Sequence, residues 1–163
     1  MIVRRSIAAA AVVLVVPVVA GCGVNFNAQT DQVYNPTVGV DNRNGQVDVL
    51  NALIVSGSDG SGTVVASLSN NDELKDDTLT SVTGALDDSS LKVTPGGETT
   101  IPAGGLLNMA TQSKFFAHGT QITPGAFVNI TFNFAHAGAI PVDVPVVSSA
   151  NPDYEQVPLP AGS

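Results

Sequence analysis

The sequence predicts an all-β domain, a Greek-key β-sandwich or barrel, on three observations. Between residues 46 and 147 apolar side chains alternate with period two, their runs are short and β-branched, and Gly, Asn, Asp or Pro bounds each run. No segment there carries the 3.6-residue period of a long helix.

The first strand is QVDVLNALIV (residues 46–55), divided by SGSDGSG from GTVVASL (62–68). NNDELKDD leads to TLTSVT (78–83), and short strands are expected at 91–94, 99–101, 106–110 and 114–117. The clearest is AFVNITFNF (126–134), where Val128, Ile130, Phe132 and Phe134 share one face and Asn129, Thr131 and Asn133 the other. That is a half-buried antiparallel strand. After the turn AHAGA comes PVDVPVV (141–147), whose Pro145 suggests a sheet edge because proline cannot donate to a ladder.

The chain opens MIVRRSIAAAAVVLVVPVVAGC: two arginines, an apolar run, then small residues and a Cys, the layout of a secretory signal peptide over residues 1–21. Val19-Ala20-Gly21-Cys22 resembles a bacterial lipobox, which makes Cys22 the lipidation site and the first residue of the mature protein. Two palmitate-class chains at about 0.8 kcal/mol per buried CH₂ give on the order of 20 kcal/mol, enough for stable anchoring to the extracytoplasmic face of a cell membrane. Residues 22–42 are polar and turn-rich, suited to a lipidated tether; 43–147 form the β-sandwich domain. Residues 148–163 are Pro-rich and patternless, and are expected to be a flexible tail.

The mature chain keeps four basic residues, Arg43, Lys75, Lys92 and Lys114, against 14 acidic ones, a side-chain balance of −10. Such a domain has no basic patch for phosphates, so nucleic acid is excluded as an expected partner, and an anionic lipid surface repels it. Cys22 is the only Cys, so disulfides do not support the fold. The turn SGSDGSG lacks the G-x-S-x-G nucleophile elbow, and neither His is paired with a Ser; no catalytic residues are assigned and no enzyme is expected. Asp72, Glu73, Asp76 and Asp77 share one loop without EF-hand spacing, which reads as a solvated acidic loop, with Ca²⁺ as the competing reading.

Three phrases carry a resemblance: VVASLSNNDELKDDTLTSVT (residues 64–83), IPAGG (101–105) and ITPGAFVNITFNFAHAGAIPVDVPV (122–146). Together they resemble the PCuAC periplasmic copper chaperones and their actinobacterial lipoprotein relatives of the LpqE type. The resemblance implies a cupredoxin-like or immunoglobulin-like version of the sandwich, and a Cu(I) site built from an early His-Met pair, a further Met and a late His-x-Met. Soft Cu(I) requires thioether and imidazole donors. Residues 55–108 contain neither His nor Met, and Lys114-Phe115-Phe116 stands at the place of the late His-x-Met.

The expectation is therefore a lipid-anchored envelope module, binding or structural, with a copper-chaperone-like fold, no cofactor and an envelope protein or ligand as partner. Lys114, Phe115 and Phe116 are the candidate contact, since adjacent strand residues point to opposite faces and one Phe must look outward unless covered. The alternative is a metallochaperone that holds copper with Met109, His118 and His136.

Overall fold

The computed structural model describes residues 37–57, 60–111 and 113–161; Cys22, the signal peptide and most of the tether lie outside the described residues. Ten strands run in order: β1 (Val40–Asn42), β2 (Val47–Ser56), β3 (Ser61–Asn70), β4 (Asp77–Gly84), β5 (Lys92–Val93), β6 (Thr99–Ile101), β7 (Leu106–Asn108), β8 (Phe116–His118), β9 (Phe127–Phe134) and β10 (Ala139–Ser148). The spatial order is β5-β8-β3-β2-β10-β9-β4-β6, with β1 also on β2 and β7 also on β3. Every strand expected from the alternation forms. β1 is additional, so the domain begins within the segment read as tether.

β10 belongs to both halves of this curled sheet. Its residues 139–145 pair antiparallel with β9, and Val146–Ser148 then pair parallel with Ile54–Ser56 of β2. Pro145 sits at the change of partner and is buried, which corrects its reading as a sheet-edge residue. A missing donor costs least where the chain leaves one ladder for another. The far ends of the curl meet at β6 and β7, which the turn 102–105 joins directly.

Inside the curl, strict alternation delivers Val128, Ile130 and Phe132 of β9 at 0% exposure against Val47, Val49, Ile54 and Leu68. β2 bends at a bulge between Leu50 and Leu53, where Asn51 takes a left-handed φ of 49°. The Asn51 N–H donates to the Asp41 carboxylate (2.7 Å) and its side-chain oxygen accepts from the Gly39 N–H (3.0 Å), which fixes β1 on the bulge. Gly39 has no substitute: a Cβ would stand 2.5 Å from the Asn51 carbonyl carbon.

The C-terminal segment corrects a second expectation. Residues 149–161 fold back over the outer face of β2 and β3, where Val157 joins Leu53, Val55 and Val65 in a second small core edged by Tyr154, Val147 and Leu159. Asn151 caps a 3-10 turn, Pro152–Tyr154, by accepting from the Asp153 N–H at 3.1 Å, and the Thr63 hydroxyl donates to the Pro158 carbonyl. The physical cause lies in β2 and β3, which are apolar on both faces over Leu53–Val55 and Val64–Val65. The face turned from the main core needs a cover.

Candidate functional site

The edge beyond β3 is one strand interrupted by a loop. The Met109 N–H donates to the Ala66 carbonyl (2.9 Å) and the Val64 N–H to the Phe115 carbonyl (3.0 Å). From one bond to the next β3 spans two residues and the edge six, so four residues leave the sheet. The departure is built rather than slack. The Asn108 side chain accepts from the Ala110 N–H (2.8 Å), and buried Ser113 donates its hydroxyl to the Val64 carbonyl (2.6 Å) while accepting from the Phe115 N–H (3.3 Å).

Lys114 is exposed at the end of this loop, with a cavity on either side. One, a cleft of about 400 Å³, lies between the β5–β6 connection (Gly96, Glu98) and β7, with Met109 and Phe115 on its wall. The other, about 410 Å³, reaches Phe116 and Pro158 of the C-terminal cover. Phe115 is buried at 2% exposure and Phe116 is half-buried, so of the candidate contact residues the ammonium is open, one ring is in the core and the other is partly covered. Gly96 permits this seating, because a Cβ there would be 2.7 Å from the Phe115 ring. Gly96→Val is expected to displace the ring and cost about 2 kcal/mol, measured as a lower urea midpoint with unchanged slope.

Met109, His118 and His136 do not converge. Met109 is buried and level with Ala66 of β3, whereas exposed His118 pairs with Ser61, five positions away or roughly 16 Å at about 3.3 Å per residue. His136 lies in the β9–β10 turn beside Lys75 (Nδ1 to Nζ, 3.4 Å), a residue whose carbonyl accepts from Asn70 at the opposite end of β3. Among the described residues no group of three or more His, Cys, Asp or Glu side chains could hold a metal ion.

The most complete polar constellation centres on Asp77, which the sequence groups with Asp72, Glu73 and Asp76 in a solvated acidic loop and which is instead buried. Asp77, 2% exposed, accepts from the N–H groups of Thr78 (2.7 Å), His136 (3.0 Å) and Ala137 (2.8 Å), binding the start of β4 to the β9–β10 turn. Burial raises its pKa, but the three N–H donors outweigh burial and hold the carboxyl below the ordinary 3.8, with a smaller contribution from His136. Its neighbours are also occupied. Asp72 accepts from Leu74 N–H, Lys75 N–H and the Gln46 amide, and Asp76 from Ala103 N–H, so this acidic loop uses its carboxylates as internal caps.

The chain matches no family model and no curated protein sequence. Its backbone is similar to the copper-bound PCuAC domain from PmoF2, at TM-score 0.54 and 14% identity over 67% of this chain and 98% of that one. The apo PCuAC domain from PmoF1 is similar at TM-score 0.54 and 15% identity, covering 67% and 99%. The fold is PCuAC-like. The apo PmoF2 PCuAC domain gives TM-score 0.50 and 16% identity over 64% of this chain and 91% of that domain. Within this PCuAC-like fold the residues that the sequence resemblance sets at the late His-x-Met, Lys114-Phe115-Phe116, run from the looped edge into β8 beside the two cavities.

Proposed function

We propose that this chain is a lipid-anchored, extracytoplasmic module of the cell envelope, related to the LpqE-type lipoproteins, that binds or organises an envelope partner through the region of Lys114 and Phe116 rather than carrying a metal. The observation that supports this most is the register of the β3 edge, which keeps Met109 and His118 five positions apart while fixing a hydrogen-bonded loop between two cavities. Copper transport is the second reading, favoured by the likeness to a copper-bound PCuAC domain.

A Cu(I) competition titration against a calibrated chelator separates the two, using protein that lacks residues 1–22. No one-to-one complex is expected; tight binding that His118→Ala or Met109→Ala abolishes would establish the metallochaperone instead. Anchoring is tested independently. Cys22→Ser is expected to leave the protein unprocessed or to release it from the membrane fraction, and a normally processed, membrane-bound serine variant would refute the anchor.

A further inference from the structure

The outer edge of β7 borders the cleft, and no backbone partner is found for it among the described residues. The Asn70 N–H donates to the Gly105 carbonyl and the Met109 N–H to the Ala66 carbonyl, both at 2.9 Å, with Leu107 opposite Leu68 between them. Hydrogen-bonding residues alternate along an antiparallel strand, so Gly105, Leu107 and Met109 address β3, and the N–H and C=O groups of Leu106 and Asn108 point away from it. Among the described residues no strand pairs with β7 on that side. β5 does not extend to it: after the Thr94 N–H donates to the Phe116 carbonyl (2.8 Å), the chain runs through Gly96 and Glu98 into β6, in the other half of the curl. The cleft of about 400 Å³, bordered by Asn108, opens where a further strand would lie.

We infer that β7 receives an extended, basic peptide segment of a partner protein by strand addition. This rests on the reading of the domain as a partner-binding module and names the partner's chemistry. Donors and acceptors repeated every second residue, about 6.6 Å apart, match a polypeptide backbone better than a compact small molecule. An apolar side chain of the peptide enters the cleft against Met109 and Phe115, and the acidic chain, with a net charge of −8 before any processing, draws positively charged flanks. A second copy of this chain is disfavoured as the occupant because it brings the same negative charge.

The probe is acetyl-Lys-Val-Thr-Val-Thr-Lys-amide, titrated into the processed full-length protein in detergent micelles and followed by backbone amide resonances. Saturable shifts are expected at Leu106 and Asn108, and N-methylation of one central Val is expected to weaken binding about tenfold, the equivalent of one lost hydrogen bond near 1.4 kcal/mol. Leu106→Pro removes an outward N–H that bonds nothing on β3 and leaves the Asn108 bond to Ala110 in place, so it should abolish the shift at Asn108 while the β3 ladder amides remain protected. Absent saturation, equal binding of the N-methylated peptide, shifts centred away from β7, or a dimer formed through this edge would each overturn the inference. The peptide titration is run with a Cu(I) chelator present, so copper binding found in the separate competition titration would overturn the proposed function while the peptide-dependent shifts at β7 test the strand addition alone.

Discussion

Asp77→Ala is expected to lower the stability of the domain by about 3 kcal/mol and its melting temperature by roughly 10 °C. The substitution leaves the Thr78, His136 and Ala137 N–H groups without their acceptor, and a buried donor that loses its partner costs about 1–3 kcal/mol. Three such donors give about 3–9 kcal/mol, and the total falls at the bottom of that range because His136 is exposed and water can reach the turn. Asp77→Asn keeps an oxygen but turns an NH₂ toward one of the donors, so about 2 kcal/mol is expected from it. Acid supplies an independent reading. The folded carboxyl titrates below 3.8 and the unfolded one near it, so on acidification the unfolded chain takes up the proton first. The contribution is therefore complete above about pH 3.8 and drains away as the pH falls through the lowered folded value. Urea unfolding from pH 6 to pH 2.5 should show this limb in the parent and lose it in Asp77→Asn; an unchanged profile would refute the role assigned to the carboxylate.

Ending the chain after Asn151 is expected to cost on the order of 3 kcal/mol and to produce a dye-binding, association-prone protein. Val157 leaves its place on Leu53, Val55 and Val65, Tyr154 and Leu159 leave with it, and Thr63 loses the Pro158 carbonyl. Full burial of one aliphatic side chain stabilises by about 1.5–3 kcal/mol, and exposing the three-residue face beneath adds to the loss, while the freed entropy of the segment offsets part of it. The sharper comparison is Val157→Asp, which keeps the chain length and places an uncompensated charge in the same apolar contact. Normal stability in both variants would show that the cover contributes nothing.

The strands were legible because alternation is a local property. β9 shows this best: one face carries Val128, Ile130, Phe132 and Phe134, and all four are buried. The C-terminal cover was missed although its cause is written in β2 and β3. Leu53-Ile54-Val55 and Val64-Val65 break the period-two pattern with consecutive apolar residues, the mark of a strand buried on both sides. The prolines of residues 148–163 hid the answer, since Pro158 takes part through its carbonyl, which needs no N–H. Asp77 carries no periodic signal that separates it from Asp72 or Asp76, and its distant partners lie 59 and 60 residues away. The cleft combines Gly96 and Glu98 with Asn108 and Lys114, and only the pairing of β5 with β8, followed by the crossing of the chain into β6, makes those positions neighbours.

Pro145 has a mechanical consequence. A strand shared by both halves makes the domain a single folded leaf, creased where β10 changes partner, and not two boards held face to face. The opposite margin, where β6 and β7 adjoin, is its mouth. That mouth is buttoned by one residue: the Asn70 side-chain amide donates to the Ile101 carbonyl (3.4 Å) and its N–H to the Gly105 carbonyl (2.9 Å), so the leaf is fastened along its open side as well as creased at its spine.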